Sequence, residues 1–456
     1  MKSLLGPSAI LATALLLGRV SGVAREATVS SIFGVSHEGD IAVIIMTIPD
    51  LLVNFLITGG LSAALVPRLT QLDDAAAGAL WWGVSKMVVL AFAVIGSVFY
   101  LAPSLFLALL APGRVEHFEA IEGMVALCVA LALPLAALSG LAGAYLNARG
   151  RYLTSGLGTL FFNTGLILTL FLVPWNAKLA LLGFGVLIGS VLRFAPQLLA
   201  FPKGIPSQRD AKFPRDPRFL KEFSSGILAI GVMLLAPVFL RASASFLDAG
   251  AISAFNYAQK LVELPVGIIA SAISTVALTN ISAAFGQDGL DSAKREAVRG
   301  FRKIAVLSIL AASICVCFSR ELVSLLFGYG RMSLDNQMQV AELLKIAALS
   351  IPFSAATSMG YSFLNATGHA PLALKTTLRV SLILPLLMLF AIWSGSWLQL
   401  MASFVIFQFA LCVAIFAKCG IKVLDPGPGS VLSVFNLNIL LYSLSICAIS
   451  IFYLVI

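Results

Sequence analysis

Charge is what this sequence has least of. Asp, Glu, Lys and Arg make up 11% of its 456 residues, where a soluble domain carries about 25%, and that deficit excludes a soluble globular protein. Histidine is nearly absent: His37, His117 and His369 lie far apart and near the ends of apolar runs, so no metal centre is expected. The six cysteines fall mostly inside apolar runs, and Cys315-Val316-Cys317 is too tightly spaced for a zinc or CxxC redox site. They read as small core residues. No GxxxxGKS/T stretch occurs to cradle nucleotide phosphates, and no cofactor is expected. Alternating polarity is missing as well. Stretches such as 88–101 and 382–393 are apolar on every face, which excludes an outer-membrane barrel and leaves the helix to satisfy their backbones in lipid.

What is present is hydrophobic: 59% of the residues are apolar, in runs of about 18 or more that are long enough to cross a bilayer. The pattern predicts an all-α polytopic membrane protein with thirteen spans, at 5–33, 40–66, 80–110, 119–146, 153–173, 178–200, 219–240, 246–283, 300–326, 340–365, 371–393, 396–418 and 431–456. With the N-terminus cytoplasmic, twenty of the thirty basic residues fall on cytoplasmic ends and loops, including six from Lys203 to Lys221 and five from Lys294 to Lys303. The net charge of +9 thus follows the positive-inside rule and calls for no nucleic acid. Lys2 ahead of an apolar run ending at Gly22-Val23-Ala24 has the outline of a secretory signal, but an internal repeat needs this segment as a span.

The repeat is direct. Leu133-Pro134-Leu135-Ala136-Ala137 through Tyr145-Leu146-Asn147-Ala148-Arg149-Gly150 parallels Ile351-Pro352-Phe353-Ser354-Ala355 through Phe363-Leu364-Asn365-Ala366-Thr367-Gly368 at an offset of 218. Arg25, Gly34 and Pro49 lie 216 residues before Arg241, Gly250 and Pro265. An offset of six spans keeps orientation, so two parallel six-helix bundles are expected around a central cleft, an arrangement suited to alternating access. The expected divisions are a first bundle at 1–200, a basic cytoplasmic linker at 201–222, a second bundle at 223–420 and one accessory helix at 421–456, after the turn Asp425-Pro426-Gly427-Pro428-Gly429.

Charges within spans cost roughly 2.5–3.5 kcal/mol each at the bilayer centre, so they should face a wet cavity or a partner. They are Arg19, Arg25, Glu26, Asp50, Arg193, Arg241, Asp248, Lys260 and Glu263. Cations outnumber acids, which suits an anionic group, and the arginine fork matches phosphate oxygens. Arg19 and Arg25 are about 120° apart on an unbroken helix, but a kink at Ser21-Gly22 would turn both into the cleft. Alternatively, Arg25 sits at the outer interface, paired with Glu26 or Asp40. Lys260 and Glu263 are neighbours on one helix face and read equally well as a self-neutralising pair. Arg193 is expected to snorkel to the headgroups. Pro49 and Pro265 each remove a helix hydrogen bond and mark expected bends.

Several stretches carry a family resemblance: Gly18-Arg19-Val20-Ser21-Gly22-Val23-Ala24-Arg25-Glu26, Ile32-Phe33-Gly34, Asp40, Ile48-Pro49-Asp50-Leu51-Leu52 and the segment Gly59 to Pro67. So do Tyr257 to Gly267 and Tyr361 to Pro371. Over about the first 420 residues the chain resembles the MurJ/MviN lipid II flippases of the multidrug/oligosaccharidyl-lipid/polysaccharide exporter superfamily. The resemblance implies flipping of an undecaprenyl-pyrophosphate-linked cell-wall precursor across the bacterial inner membrane, with cavity arginines on the pyrophosphate. It makes Arg19, Arg25 and Asp40 functional positions and sets Lys260 where the family usually has an arginine. There are departures: Val53-Asn54 stands where the family has two arginines, Thr47 and Thr58 where it has charges, and Arg241 is a cation outside its motif. The family also has two helices beyond the repeat, against one here.

These readings converge on a flippase that is not an enzyme, with Arg19, Arg25, Lys260 and Arg241 as the anion site. Asp40 would orient one of these cations, and Asp50, Asp248 or Glu263 would serve ion coupling. Lipid II is the leading substrate and another lipid-linked glycan the alternative. The expected partners are membrane lipids and the polyprenyl-pyrophosphate saccharide, with the cell-wall synthesis machinery as a candidate, and the chain reads as a monomer. Rival readings are a drug/cation antiporter, which would want an acidic cavity, and a membrane-embedded glycosyl-lipid enzyme, which would want an acid/base pair on a large outer loop. A flippase-like scaffold is a further rival.

Overall fold

The structure is a computed structural model that describes residues 7–54, 65–117, 123–172, 178–201 and 236–420. Among these residues it is helical throughout, without strands. The first part contains α1 (Pro7–Phe33), α2 (His37–Asn54), α3 (Val66–Gln71), α4 (Asp74–Leu101), α5 (Pro103–Leu110), α6 (Met124–Ala148), α7 (Tyr152–Gly156), α8 (Gly158–Leu172) and α9 (Lys178–Leu199). The second contains α10 (236–244), then α11 (Ala251–Cys317), α12 (Ser319–Phe327), α13 (Leu334–Ala348), α14 (Ser350–Ala366), α15 (Ala370–Ser381), α16 (Leu384–Ser394) and α17 (Trp397–Cys419). Among the described residues six helices are long and apolar enough to cross a bilayer, or seven if α13 and α14, bent by 40°, count as one span. The expected linker at 201–222 lies almost wholly outside the described residues. So do most of the span at 219–240, the accessory helix at 421–456, and Thr58.

Apolar sequence makes these helices, and local chemistry sets their ends. Asp73 caps α4 by accepting from the Ala76 amide at 2.7 Å, and Ser333 caps α13 by accepting from the Asn336 amide at 3.2 Å. Exposed Leu90, Val94, Leu105, Leu386 and Trp393 face outward, as lipid-covered surface requires. The spans read at 246–283 and 300–326 are joined, because helix continues through the polar stretch between them with one break at Gly289 (φ 77°). Ala293, Lys294, Arg295, Glu296 and Ala297 are strong helix formers, so the connection stays helical. Helix α1 runs uninterrupted through Ser21-Gly22, where a kink was expected. There the Ser21 hydroxyl donates to the Gly18 carbonyl at 2.8 Å, and Asn163 of α8 donates to Ser21 Oγ at 2.9 Å.

The repeated segments share their backbone geometry. Gly150 and Gly368, 218 residues apart, have φ of 73° and 78°; Gly34 and Gly250, 216 apart, have 66° and 95°. After α6 the Arg151 amide donates to Leu146 O at 2.8 Å, and after α14 the His369 amide donates to Leu364 O at 2.7 Å. The same helix ending is thus built twice.

The two parts meet at the end where α1 finishes and α11 begins, the upper end. Both Asp40 carboxylate oxygens accept main-chain amides at the head of α11, from Gly250 at 2.9 Å and Ser253 at 2.8 Å. The Arg114 guanidinium lies 3.7 Å from Asp40 and donates to the carbonyls of Ser245 and Leu247. Tyr257 donates to Gly34 O at 3.2 Å, the Arg331 amide to Ser31 O at 2.8 Å, and the Arg331 side chain pairs with Glu38 at 2.6 Å. At the lower end Tyr145 and Phe201 stack at 5.0 Å beside Trp81, fixing the chain where it leaves the first part.

Candidate functional site

Below the upper end, charged side chains from both parts gather. At 1.5 Å per residue, Arg25 on α1, Asp50 on α2 and Lys260 on α11 lie about 13–20 Å along their helices from that end, near the middle of a hydrocarbon core about 30 Å thick. Arg25 is 5% exposed. Its Nη2 donates to Glu26 Oε1 at 2.8 Å and its Nη1 to Asp50 Oδ2 at 3.2 Å. The other Glu26 oxygen accepts from Asn256 of α11 at 3.0 Å, tying the two parts together.

Arg241, the repeat counterpart of Arg25, reaches from α10 to α2, where its Nη1 donates to Thr47 Oγ1 at 2.6 Å. Thr47 passes its own proton to Val43 O at 2.7 Å. A cation from the second part is thereby held against α2 of the first. Lys260 pairs with Glu263 at 2.7 Å, while Arg19 lies against Gly267, its guanidinium filling the space a Cβ there would take. Glu263 is the acid within electrostatic reach of Arg19.

The structure thus brings Arg19, Arg25, Arg241, Lys260, Asp50 and Glu263 to the junction of the two parts. Arg25 pairs with Glu26, one of its expected partners, but with Asp50 in place of Asp40. Asp40 is at the upper end, where it caps α11; the cation beside it is Arg114, and it orients none of the proposed anion-site residues. Asp248 lies in the exposed turn leading into α11, and Asp50 and Glu263 are already paired with bases. Pro49 and Pro265 stand inside continuous helices, leaving the carbonyls of Ile45 and Leu261 without their usual helical partners.

Sequence reasoning passed over Asn256 and Arg114 and misplaced Arg193. Arg193 turns inward rather than snorkelling: its side chain packs over Gly158, where any Cβ would come within 3.5 Å of it, and Asp50 acts on it through space.

The cluster therefore sets Arg19, Arg25, Arg193, Arg241 and Lys260 against Glu26, Asp50 and Glu263. Cations prevail, and the buried Nε atoms of Arg25, Arg193 and Arg241 have no hydrogen-bond partner among the described residues. Although mid-helix, the side chains of Asp50, Lys260 and Glu263 are 37%, 27% and 46% exposed, so open space adjoins them. Unsatisfied donors beside accessible space, in a field that is net positive, suit a multivalent oxyanion.

The family model described as lipid II flippase MurJ matches residues 29–454. The chain belongs to the MurJ family. It is 27% identical over 346 residues to the lipid II flippase MurJ of Burkholderia cenocepacia, covering 72% of this chain and 67% of that one. It is 27% identical over 370 residues to the probable lipid II flippase MurJ of Aquifex aeolicus, covering 77% and 70%. The solved inward closed conformation of a lipid II flippase MurJ superposes with a TM-score of 0.76 at 20% identity, over 97% of this chain and 98% of that one. An inward-facing multidrug resistance MATE family transporter of the MOP superfamily superposes with a TM-score of 0.73 at 14% identity, over 91% and 98%. These likenesses establish a multi-pass transporter fold. The matched stretch covers Asp40, Arg241 and Lys260 and begins after Arg19 and Arg25, whose assignment rests on the N-terminal motif and on the geometry above.

Proposed function

We propose that this protein flips lipid II, a polyprenyl-pyrophosphate-linked saccharide, across the bacterial inner membrane by alternating access and catalyses no reaction. The observation that carries the reading is the net-basic cluster assembled by both parts at mid-depth, with buried arginine donors left unsatisfied. A diphosphate offers enough oxygens for several guanidinium groups, and away from bulk water each charge-assisted bond gains strength. Lys260 contributes a point charge and Arg25 and Arg241 planar forks. With the N-terminus cytoplasmic, the upper end faces outward, so the Asp40, Arg114 and Arg331 contacts seal the exit while the cluster receives substrate from within. A drug antiporter of the same fold would want an acidic cavity, contrary to this charge balance.

The test is translocation of labelled lipid II, against other polyprenyl-linked sugars, in vesicles containing this protein alone. Transport of lipid II that is lost in a normally inserted Arg19→Ala variant is the expected result. Full activity of that variant, or no preference for polyprenyl pyrophosphates, overturns the reading.

A further inference from the structure

The acids in the cluster are held differently. Glu26 is 1% exposed and anchored on both oxygens, by Arg25 and by Asn256. The Asp50 side chain is 37% exposed and bonds to Arg25 through one oxygen at 3.2 Å. Pro49 precedes it, so α2 is one hydrogen bond short at the turn that carries this carboxylate. Arg193 of α9 and Arg241 of α10 also lie within its electrostatic reach. One loosely held acid is therefore shared by arginines from three helices, beside Glu26 on Arg25 and Glu263 near Arg241, and each arginine keeps a buried Nε with no partner among the described residues.

We propose that Asp50 is a tethered counter-anion: its carboxylate stands among Arg25, Arg193 and Arg241 where the substrate's diphosphate binds, and loading and release proceed by exchange between the two. This rests on the proposed diphosphate site. Without such a group, an empty cavity would leave the three guanidinium charges with only Glu26 and Glu263 as nearby counter-charge, so the carboxylate supports the unloaded state. A bound diphosphate has more oxygens and more charge and displaces it. When the cavity turns to the far side, the carboxylate, always at high effective concentration, returns to the arginines and helps expel the product. Affinity falls by the fraction of molecules in which the carboxylate is seated, and release becomes faster.

The test measures binding of farnesyl pyrophosphate, with farnesol as control, to the full chain in lipid nanodiscs for wild type, Asp50→Asn and Arg25→Ala, together with lipid II translocation. Asp50→Asn is expected to bind the pyrophosphate roughly three- to tenfold more tightly while translocating more slowly, and Arg25→Ala to bind it more weakly. Binding by Asp50→Asn that equals or falls below wild type, with Arg25→Ala still weakened, overturns the counter-anion and spares the site. An unaffected Arg25→Ala overturns the site itself. Should Asp50→Asn fail to fold, Asp50→Ser is read against the same expectations, and Asp50→Glu, which keeps the charge, should stay within about twofold of wild type.

Discussion

At the upper end the charges that join the two parts are satisfied: Asp40 holds two amides and faces Arg114, Arg114 holds two carbonyls, and Arg331 holds Glu38. Deeper between the two parts, Arg25, Arg193 and Arg241 each keep a buried Nε with no partner among the described residues. Both regions join the same two parts of the chain, yet one is saturated and the other is left short. A saturated junction gains nothing from a further ligand, whereas an unsatisfied one gains a bond for each group a ligand brings. The first is built to hold a conformation, and on the proposed function the second is where cargo binds.

The comparison is broken most severely by Asp40→Ala. It strips the cap from α11 and the acid from Arg114 in one step, at a cost of roughly 2–4 kcal/mol. Thermal unfolding in detergent should report a marked fall, and an unchanged midpoint would sink the idea of a structural clasp. Arg25→Ala acts on the other region and is expected to cut lipid II translocation by about tenfold or more in vesicles holding equal amounts of protein. Transport at the wild-type rate would remove Arg25 from the site.

A double-mutant cycle sharpens the contrast further. Arg241→Ala and Thr47→Val should each impair translocation, with a coupling of about 0.5–1.5 kcal/mol. Strict additivity would mean that the 2.6 Å bond between them does not serve transport. The smallest effect is expected from Arg331→Ala, because both partners of that ion pair are about half exposed, 58% and 48%. Its loss should change stability by less than about 1 kcal/mol, and a larger drop in the unfolding midpoint would show that the exposed pair is integral to the clasp.

Much of this was legible in the chain. The Leu-Asn-Ala-x-Gly endings announced a duplication, and Gly150 and Gly368 share one backbone conformation because each must close the same helix terminus. Lys260 and Glu263 were neighbours by helical spacing alone and are paired. The Arg25–Asp50 contact joins two helices, and residue spacing carries no information about it. Arg193 was misread because its place near a span end suggests headgroups, while the room above Gly158 becomes visible only when α8 and α9 are packed together. Arg114 escaped notice because its partners are mostly main-chain carbonyls, which every residue possesses.

That reliance on peptide groups bears on how such a protein drifts. On the α11 side of the Asp40 contact the donors are amides, which nearly any residue at 250 or 253 would supply. Mutation at those two sites threatens the joint mainly through geometry, chiefly at Gly250 with its φ of 95°. On the α11 side the hereditary burden of this joint thus falls on one turn, so that, if the deeper cluster is where cargo sits, its walls are free to be rewritten for a different passenger while the same door keeps closing.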